Sequence, residues 1–274
     1  MISKSLEFKY QKLRDLFAEM QKVIIAYSGG VDSTLLLRIG KEVLQKDCIG
    51  VIGLSPSLAK SELDEALRVA QSFNANVIQL ETHEMDNPEY INNDRSRCYH
   101  CKLELYSILK AYARDRKIKY ILDGNNYDDL NDYRPGREAA KQLHVRSPFI
   151  EVGLHKEDIR ELARFLDLPN WNKPAQPCLS SRMAYGQPIE LQILNKIATA
   201  ESYLKSLGFE IVRVRYRGDF VSIEVGPDEL QDLFDSCNQK SIRQQFERIG
   251  FHRIEFDRNG YRPGNLNQPL TSVS

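Results

Sequence analysis

Residues 22–37, KVIIAYSGGVDSTLLL, limit the fold more than any other stretch of the chain. An apolar run of strand length breaks at Ser28-Gly29-Gly30-Val31-Asp32-Ser33. It resumes at Thr34 as an apolar run of helical character. A strand, a tight glycine turn and a helix start together gather backbone N–H groups at the positive end of a helix. Gly29 and Gly30 let the backbone approach a ligand with no Cβ in the way. Ser28 and Ser33 add hydroxyls, and Ser33 or Asp32 can cap the helix expected over 33–46. The arrangement suits a chain of phosphates. It is not a Walker loop, because no Lys-Ser/Thr follows the glycines.

The same strand-then-helix rhythm continues downstream. Strands are expected at 22–27, 48–54, 76–80 and 120–124. Helices are expected at 60–73, 102–116 and 154–166, after an amphipathic helix within residues 1–20. Such alternation indicates an α/β fold, a parallel sheet flanked by helices. Ligands of these sheets sit beyond the carboxyl ends of the strands. The loops after Tyr27, Leu54 and Asp123 therefore face one site. The first loop holds phosphates, and the other two, through Leu54 and Gly124, hold the nucleoside.

Residues 169–188 carry four of the eleven prolines, which is loop chemistry. Beyond them come a long helix at 189–207 and two alternating strands, 210–217 and 220–225, around a Gly218-Asp219 hairpin turn. Helical stretches at 228–235 and 239–249 lead to HRIEF at 252–256. We expect a nucleotide-binding domain over 1–168, a proline-rich connection over 169–187 and a smaller α+β domain over 188–274.

Lys plus Arg number 38, as do Asp plus Glu, and residues 201–274 hold ten basic against eleven acidic side chains. That balance argues against a broad nucleic-acid surface. The sequence has no apolar run of bilayer length and no leader pattern, so no membrane partner and a cytoplasmic location are expected. Five cysteines, an odd number, argue against a disulfide framework.

Three constellations carry chemistry. Cys98-Tyr99-His100-Cys101 brings two thiols within reach of one metal centre, and Cys178 lies in a polar loop that can supply a third. Three thiolates suit an iron–sulfur cluster with one open iron or a zinc site completed by a histidine such as His100; the alternatives are unrelated small buried residues or a redox pair. Cys48 and Cys237 read as structural. In VRVRYR, 212–217, Arg213, Arg215 and Arg217 share one strand face and form an anion site or a solvated edge. The loop 122–138 sets Arg134 and Arg137 among Asp128, Asp129 and Asp132, where they can meet a triphosphate, its Mg²⁺ or a substrate.

SGGVDS at 28–33 resembles the PP-loop of the N-type ATP pyrophosphatases, which cleave ATP between the α- and β-phosphates. Further stretches make the resemblance narrower: LDG at 122–124, NDYRPG at 131–136, WNKP at 171–174, CLSSR at 178–182 with Tyr185-Gly186, ESYLKSLGF at 201–209 and VRVR at 212–215. Together they are similar to the LarE-type sulfur transferases, over nearly the whole chain.

That resemblance implies an ATP-dependent sulfurtransferase that forms AMP and pyrophosphate. It would adenylylate carboxylates of pyridinium-3,5-biscarboxylate mononucleotide and convert them to thiocarboxylates for the nickel-pincer nucleotide of lactate racemase. It implies ATP binding by Ser28, Gly29, Gly30, Asp32, Ser33, Leu54 and Gly124, with Asp32 holding Mg²⁺. It implies substrate binding by Arg182, Glu201, Arg213 and Arg215, and a catalytic set of Cys178, Asp32 and Ser181. One subgroup gives up the sulfur of a single cysteine, one position earlier relative to SSR; here Pro177 stands there and Cys178 follows. With Cys98 and Cys101 present, the chain resembles instead the three-cysteine subgroup. In that subgroup Cys98, Cys101 and Cys178 would hold a [4Fe–4S] cluster whose open iron carries sulfide from a separate donor. Sacrifice of Cys178 is the alternative within the family, and a cluster-dependent tRNA thiolase the alternative outside it. An ammonia-dependent ligase and a non-catalytic nucleotide-binding module leave the cysteines unexplained. A homo-hexamer is expected by analogy.

Overall fold

The computed structural model of the chain describes residues 2–131 and 134–262. Asp132 and Tyr133, within the NDYRPG stretch, lie outside the described residues. The chain divides into two compact units. Met1–Asn87 with Ser96–Gln176 form the first, and Pro88–Arg95 with Pro177–Ser274 form the second.

The first unit is built on a parallel four-stranded sheet. Its strands are β1 (Val23–Ala26), β2 (Cys48–Leu54), β3 (Asn76–Glu81) and β4 (Tyr120–Leu122), in the order β3-β2-β1-β4. All four residues of β1 are buried, as expected of a central parallel strand covered on both faces. Alternate residues serve opposite faces. Val23, Ile25 and Tyr27 pack with Leu6, Leu13 and Phe17 of the helix Lys4–Met20 and with Leu35 and Leu36. Ile24 and Ala26 pack with Tyr106 and Leu109 of the helix Arg97–Asp115. Val23 lies beside both Cys48 and Tyr120, so β1 is central and the strand order reverses between β1 and β4. In open α/β sheets, ligands occupy the crevice at that reversal.

Two helix starts in this unit differ from the sequence reading where it bears on function. The helix after the glycines runs Val31–Leu44, with Gly30 as its N-cap and no side-chain cap. Ser33 therefore lies inside the first turn. Its hydroxyl donates to the Gly30 carbonyl at 3.2 Å and accepts from the Ser28 N–H at 3.2 Å, closing the loop on itself. The helix Arg97–Asp115 begins five residues before the expected Lys102. Its first turn, Arg-Cys-Tyr-His-Cys, carries no apolar periodicity, so the start is silent in the pattern.

The second unit holds β5 (Val212–Tyr216), β6 (Val221–Val225) and β7 (Ile254–Phe256) in the order β5-β6-β7. β5 and β6 form the expected antiparallel hairpin, with Val212 opposite Val225 and Tyr216 opposite Val221. Gly218 takes the positive φ of 95° that the turn needs. β7 adds to β6 in parallel. The free edge of β5 is covered: Ala184 N–H donates to Tyr216 O, and a carboxylate of the helix Leu191–Ser206 receives the Val214 N–H. Pro88–Arg95 joins this unit through Asn93, whose amide donates to Ala184 O at 2.8 Å and Gln187 O at 2.9 Å. Helical structure expected over 228–235 shrinks to a turn at Pro227–Glu229 and the short helix Leu230–Leu233. The next helix starts at Ser236, capped by Asp235.

Candidate functional site

In the first unit the glycine loop is fixed from behind. Gly29 has φ 75°, and a Cβ added there would stand 2.5 Å from Ala66 Cβ. Its carbonyl accepts from Asn170 Nδ2 at 3.0 Å, and the same nitrogen donates to Thr34 Oγ1 at 3.0 Å. A trans peptide points its C=O and N–H in opposite directions, so Gly30 N–H is turned away from Asn170. The first N–H groups of the following helix have no intrahelical acceptor. A set of donors for an anion is the result. Gly124 abuts this set, since a Cβ there would lie 2.9 Å from Ser33 N.

Asp123 anchors the turn that carries Gly124. It is buried and accepts from Tyr106 OH at 3.0 Å, Ser147 OH at 2.7 Å and Asn125 Nδ2 at 2.6 Å. Burial pushes its carboxyl up, and these donors oppose the shift. Beside Leu54, a cavity of about 430 Å³ is lined by Leu54, Pro56, Leu58, Leu63 and Thr82, with Lys60 among its polar members. Its apolar floor and its polar members, which also include Ser55, Glu81 and His83, suit a flat heteroaromatic base. Ser55 hydrogen-bonds the buried carboxylate of Glu84 and, at 2.6 Å, Ser57.

Asp32, in the first turn of Val31–Leu44, is paired with Lys156: Nζ to Oδ2 is 2.5 Å. Burial raises the Asp32 carboxyl, and Lys156 partly offsets this. Asp32 Oδ1 is buried with no hydrogen-bond partner among the described residues. An oxygen of that kind fits a hard divalent cation. The acidic loop is largely bonded to the protein itself. Asp128 accepts from Lys156 N at 2.7 Å and His155 Nδ1 at 2.6 Å, capping the helix Lys156–Phe165. Asp129 pairs with Arg134 at 2.9 Å, and Arg137 donates to the Asp129 carbonyl at 2.9 Å.

Cys98 and Cys101 stand three residues apart in the first turn of Arg97–Asp115, hence on one helix face. Cys98 is exposed and Cys101 half-buried. Gly136 lies against this turn: a Cβ there would be 2.9 Å from Lys102 Cγ and 3.4 Å from the Cys98 carbonyl. None of the five cysteines is in a disulfide; Cys48 is buried, while Cys237 is exposed. Among the described residues, neither unit by itself gathers three His, Cys, Asp or Glu side chains as a metal-holding group. Cys98, Cys101 and Cys178 are none of them in a disulfide and none fully buried, and thiolates are the usual ligands of an iron–sulfur cluster.

In the second unit Cys178 is exposed and caps the turn Leu179–Arg182. Arg182 Nη1 donates to Pro177 O at 2.5 Å, Cys178 O at 3.2 Å and Ser181 Oγ at 3.1 Å. Its other nitrogens fork onto Glu201. Arg215 donates to Ser181 O at 3.0 Å and pairs with the buried Glu224 at 3.2 Å. Arg213, 2% exposed, donates to Val212 O at 2.6 Å and lies over the Tyr261 ring. Burial, then the neighbouring Arg182, holds its guanidinium below the usual range. Ser181, Arg182, Glu201, Arg213 and Arg215 are thus gathered in one place. Three guanidiniums there face two carboxylates, an excess of positive charge suited to an anion.

Residues 1–98 match the NAD synthase family. A Synechocystis protein of uncharacterised function is 41% identical over 97% of this chain and 99% of its own. An uncharacterised protein of Methanocaldococcus jannaschii is 30% identical over 88% of this chain and 91% of its own. Pyridinium-3,5-bisthiocarboxylic acid mononucleotide synthase of Lactiplantibacillus plantarum is 35% identical over 93% of this chain and 92% of its own. The chain belongs to that synthase family. It is an ATP-dependent sulfurtransferase of the PP-loop class.

Four residues that the sequence did not single out support these clusters: Lys156 and Asn170 in the first unit, Tyr90 and Glu224 in the second. Lys156 and Asn170 are far in sequence from their partners Asp32 and Gly29, and nothing local announces them. Tyr90 reaches Ser180 at 2.7 Å from the Pro88–Arg95 segment, which is equally silent. Glu224 was within reach: the hairpin register sets it opposite Arg213, where an acid on a strand facing three arginines is a natural counter-ion.

Proposed function

We propose that this protein converts the carboxylates of pyridinium-3,5-biscarboxylate mononucleotide to thiocarboxylates, a step in making a nickel-pincer nucleotide cofactor. A free carboxylate lacks an adequate leaving group. Its oxygen attacks the α-phosphorus of ATP, the bond to the β-phosphate oxygen breaks, and pyrophosphate departs with the electron pair. The donors of residues 28–33 hold the phosphates in line, and Asp32 would hold Mg²⁺, which neutralises charge on the departing pyrophosphate. A sulfur nucleophile then attacks the acyl carbon and AMP leaves. Arg213 and Arg215 supply the positive charge that would hold the phosphate of the mononucleotide.

Cys98, Cys101 and Cys178 would hold a [4Fe–4S] cluster, whose chemistry when bound is to carry sulfide on the iron that lacks a protein ligand. Sacrifice of the Cys178 sulfur is the second reading. One observation carries the proposal: Cys178 is an exposed thiol on a turn whose carbonyls are gripped by the buried Arg182 and Arg215. A reactive sulfur needs such access together with a fixed backbone. A homo-hexamer is proposed as the assembly.

The test is anaerobic turnover with ATP, Mg²⁺, the biscarboxylate mononucleotide and sulfide. AMP, pyrophosphate and a product with oxygen replaced by sulfur are expected; Cys178→Ala should still release pyrophosphate on adenylylation but lose the sulfur-bearing product. AMP formation that requires ammonia or tRNA instead would overturn the proposal. Intact-protein mass after turnover separates the two sulfur sources: an unchanged chain means carried sulfide, and loss of H₂S means sacrifice.

A further inference from the structure

We propose that Lys156 is a place-holding cation: it neutralises Asp32 while the cradle is empty, and it moves to the pyrophosphate end of ATP when Mg²⁺ takes the carboxylate. This rests on the reading of residues 28–33 as an ATP cradle.

Asp32 sits at the second position of the helix Val31–Leu44, among the N–H groups that receive the phosphates. A bare carboxylate there would repel a polyanion. It is not bare. Lys156 Nζ lies 2.5 Å from Oδ2, while Oδ1 is buried without a hydrogen-bond partner among the described residues. One oxygen is thus taken by an ammonium group and the other left for a stronger acid.

Other charges bear on Asp32. Asp129 adds a negative charge and Arg134 a positive one, but these two are paired at 2.9 Å and offset each other. Lys156 is therefore the cation whose departure changes the charge at the cradle. It is also built to depart. Its backbone is fixed at the start of the helix Lys156–Phe165, where its N–H donates to Asp128 Oδ2 at 2.7 Å. Its side chain is 37% exposed and hangs on a flexible four-carbon stem.

A divalent cation and an ammonium group then compete for one carboxylate. Asp32 would hold the Mg²⁺ that accompanies ATP, and the metal would supply positive charge to the phosphates. The released ammonium, on its flexible stem, would then form charge-assisted hydrogen bonds to phosphate oxygens. No covalent bond changes in the exchange.

The experiment uses the full chain, with Mn²⁺ alone and magnesium pyrophosphate as probes. Without nucleotide, Lys156→Met should bind Mn²⁺ about threefold or more tightly than wild type by electron paramagnetic resonance titration, because its competitor is gone. The same variant should bind magnesium pyrophosphate about tenfold more weakly by calorimetry, the loss of one charge-assisted contact. Lys156→Arg, which keeps the charge, should do neither. Mn²⁺ binding no tighter in Lys156→Met, or pyrophosphate binding unchanged, would overturn the exchange. Neither probe involves the mononucleotide or sulfur, so failure of the sulfur-transfer reading leaves both results standing. A wild type that binds no pyrophosphate would remove the ATP cradle and this proposal together.

Discussion

Arg182 and Glu201 face each other fork to fork, Nε to Oε1 at 2.8 Å and Nη2 to Oε2 at 3.0 Å, with side chains 4% and 9% exposed. Glu201 Oε1 also receives the Val214 N–H at 2.9 Å, and Arg182 holds the carbonyls of Pro177 and Cys178. One buried pair thus ties the edge of β5 to the turn that presents Cys178. Removing one partner of a buried pair leaves an uncompensated charge, at a cost of about 3–5 kcal/mol. Glu201→Ala should lose stability of that order in urea, read through exchange protection of the β5 amides. Glu201→Gln keeps an acceptor for Val214 and should lose less. Equal protection in wild type and Glu201→Ala would mean that the pair has no such role.

Gly124 carries a steric demand of its own, beside that of Gly29 with its positive φ and its close approach to Ala66. A methyl group at Gly124 would press on the backbone at Ser33, 2.9 Å away, and backbone yields less readily than a flexible side chain. Gly124→Ala should weaken ATP binding by about tenfold or more, as a shift of about 1 Å at a positioned site can cost a hundredfold. Calorimetry of ATP binding checks this. Gly30→Ala is the contrast: its nearest side-chain neighbour, Ser28 Oγ, would be 3.6 Å from the added carbon and its φ is −73°, so the apo fold should be undisturbed.

The thiols should sort by environment. Burial pushes Cys48 up to about 12, leaving it almost wholly protonated at neutral pH, and it should resist iodoacetamide until the chain unfolds. Cys98, Cys178 and Cys237 are exposed and should alkylate in the native protein. Anaerobic reconstitution with iron and sulfide should then protect Cys98, Cys101 and Cys178, while Cys237 stays reactive. Chelation should restore the original pattern. Iron-free protein after reconstitution, with Cys178 labelled as before, would rule out the cluster.

Asp123 gives a pH test. Burial raises its folded pKa above the ordinary 3.8, so the folded state holds this proton more tightly than the unfolded state. Its contribution to stability is full below the unfolded value and is lost as pH rises through the folded one. Asp123→Asn has no such proton. The stability of wild type relative to Asp123→Asn, from urea midpoints, should therefore fall as pH climbs from about 4 to about 7. A gap that widened over this range would contradict the assignment of burial as the leading cause.

What was legible in the sequence was what lies close along it. SGGVDS between a strand and a helix, the parallel alternation, the hairpin at Gly218 and the arginine face all follow from local spacing. What was illegible depends on chain return. Lys156 reaches Asp32 across 124 positions, and Tyr90 meets Ser180 across 90. The arginines show a subtler limit. Period two placed them on one face, but periodicity cannot say whether that face meets water. Four of the five residues of β5 are buried, because the helix Leu191–Ser206 and residues 181–184 cover the strand edge. The solvated-edge alternative falls for that reason.

Asn170 is the other distant residue, and it acts on the loop that limits the fold. Its Nδ2 holds Gly29 O and Thr34 Oγ1, so it decides which way the Gly29–Gly30 peptide plane faces. Without it, the Gly29 carbonyl is free to turn toward the bound phosphates, where it would repel them. Asn170→Ala should weaken ATP binding by about tenfold, alongside about 1–3 kcal/mol of stability from the stranded buried carbonyl. Asn170→Asp should do worse, since it sets a carboxylate against that carbonyl. Thr34→Val removes the second acceptor alone and should leave ATP affinity near wild type, which separates loop orientation from simple packing. If Asn170→Ala lost stability but bound ATP as tightly as wild type, the peptide plane would be held by the rest of the loop, and Asn170 would be a packing residue only.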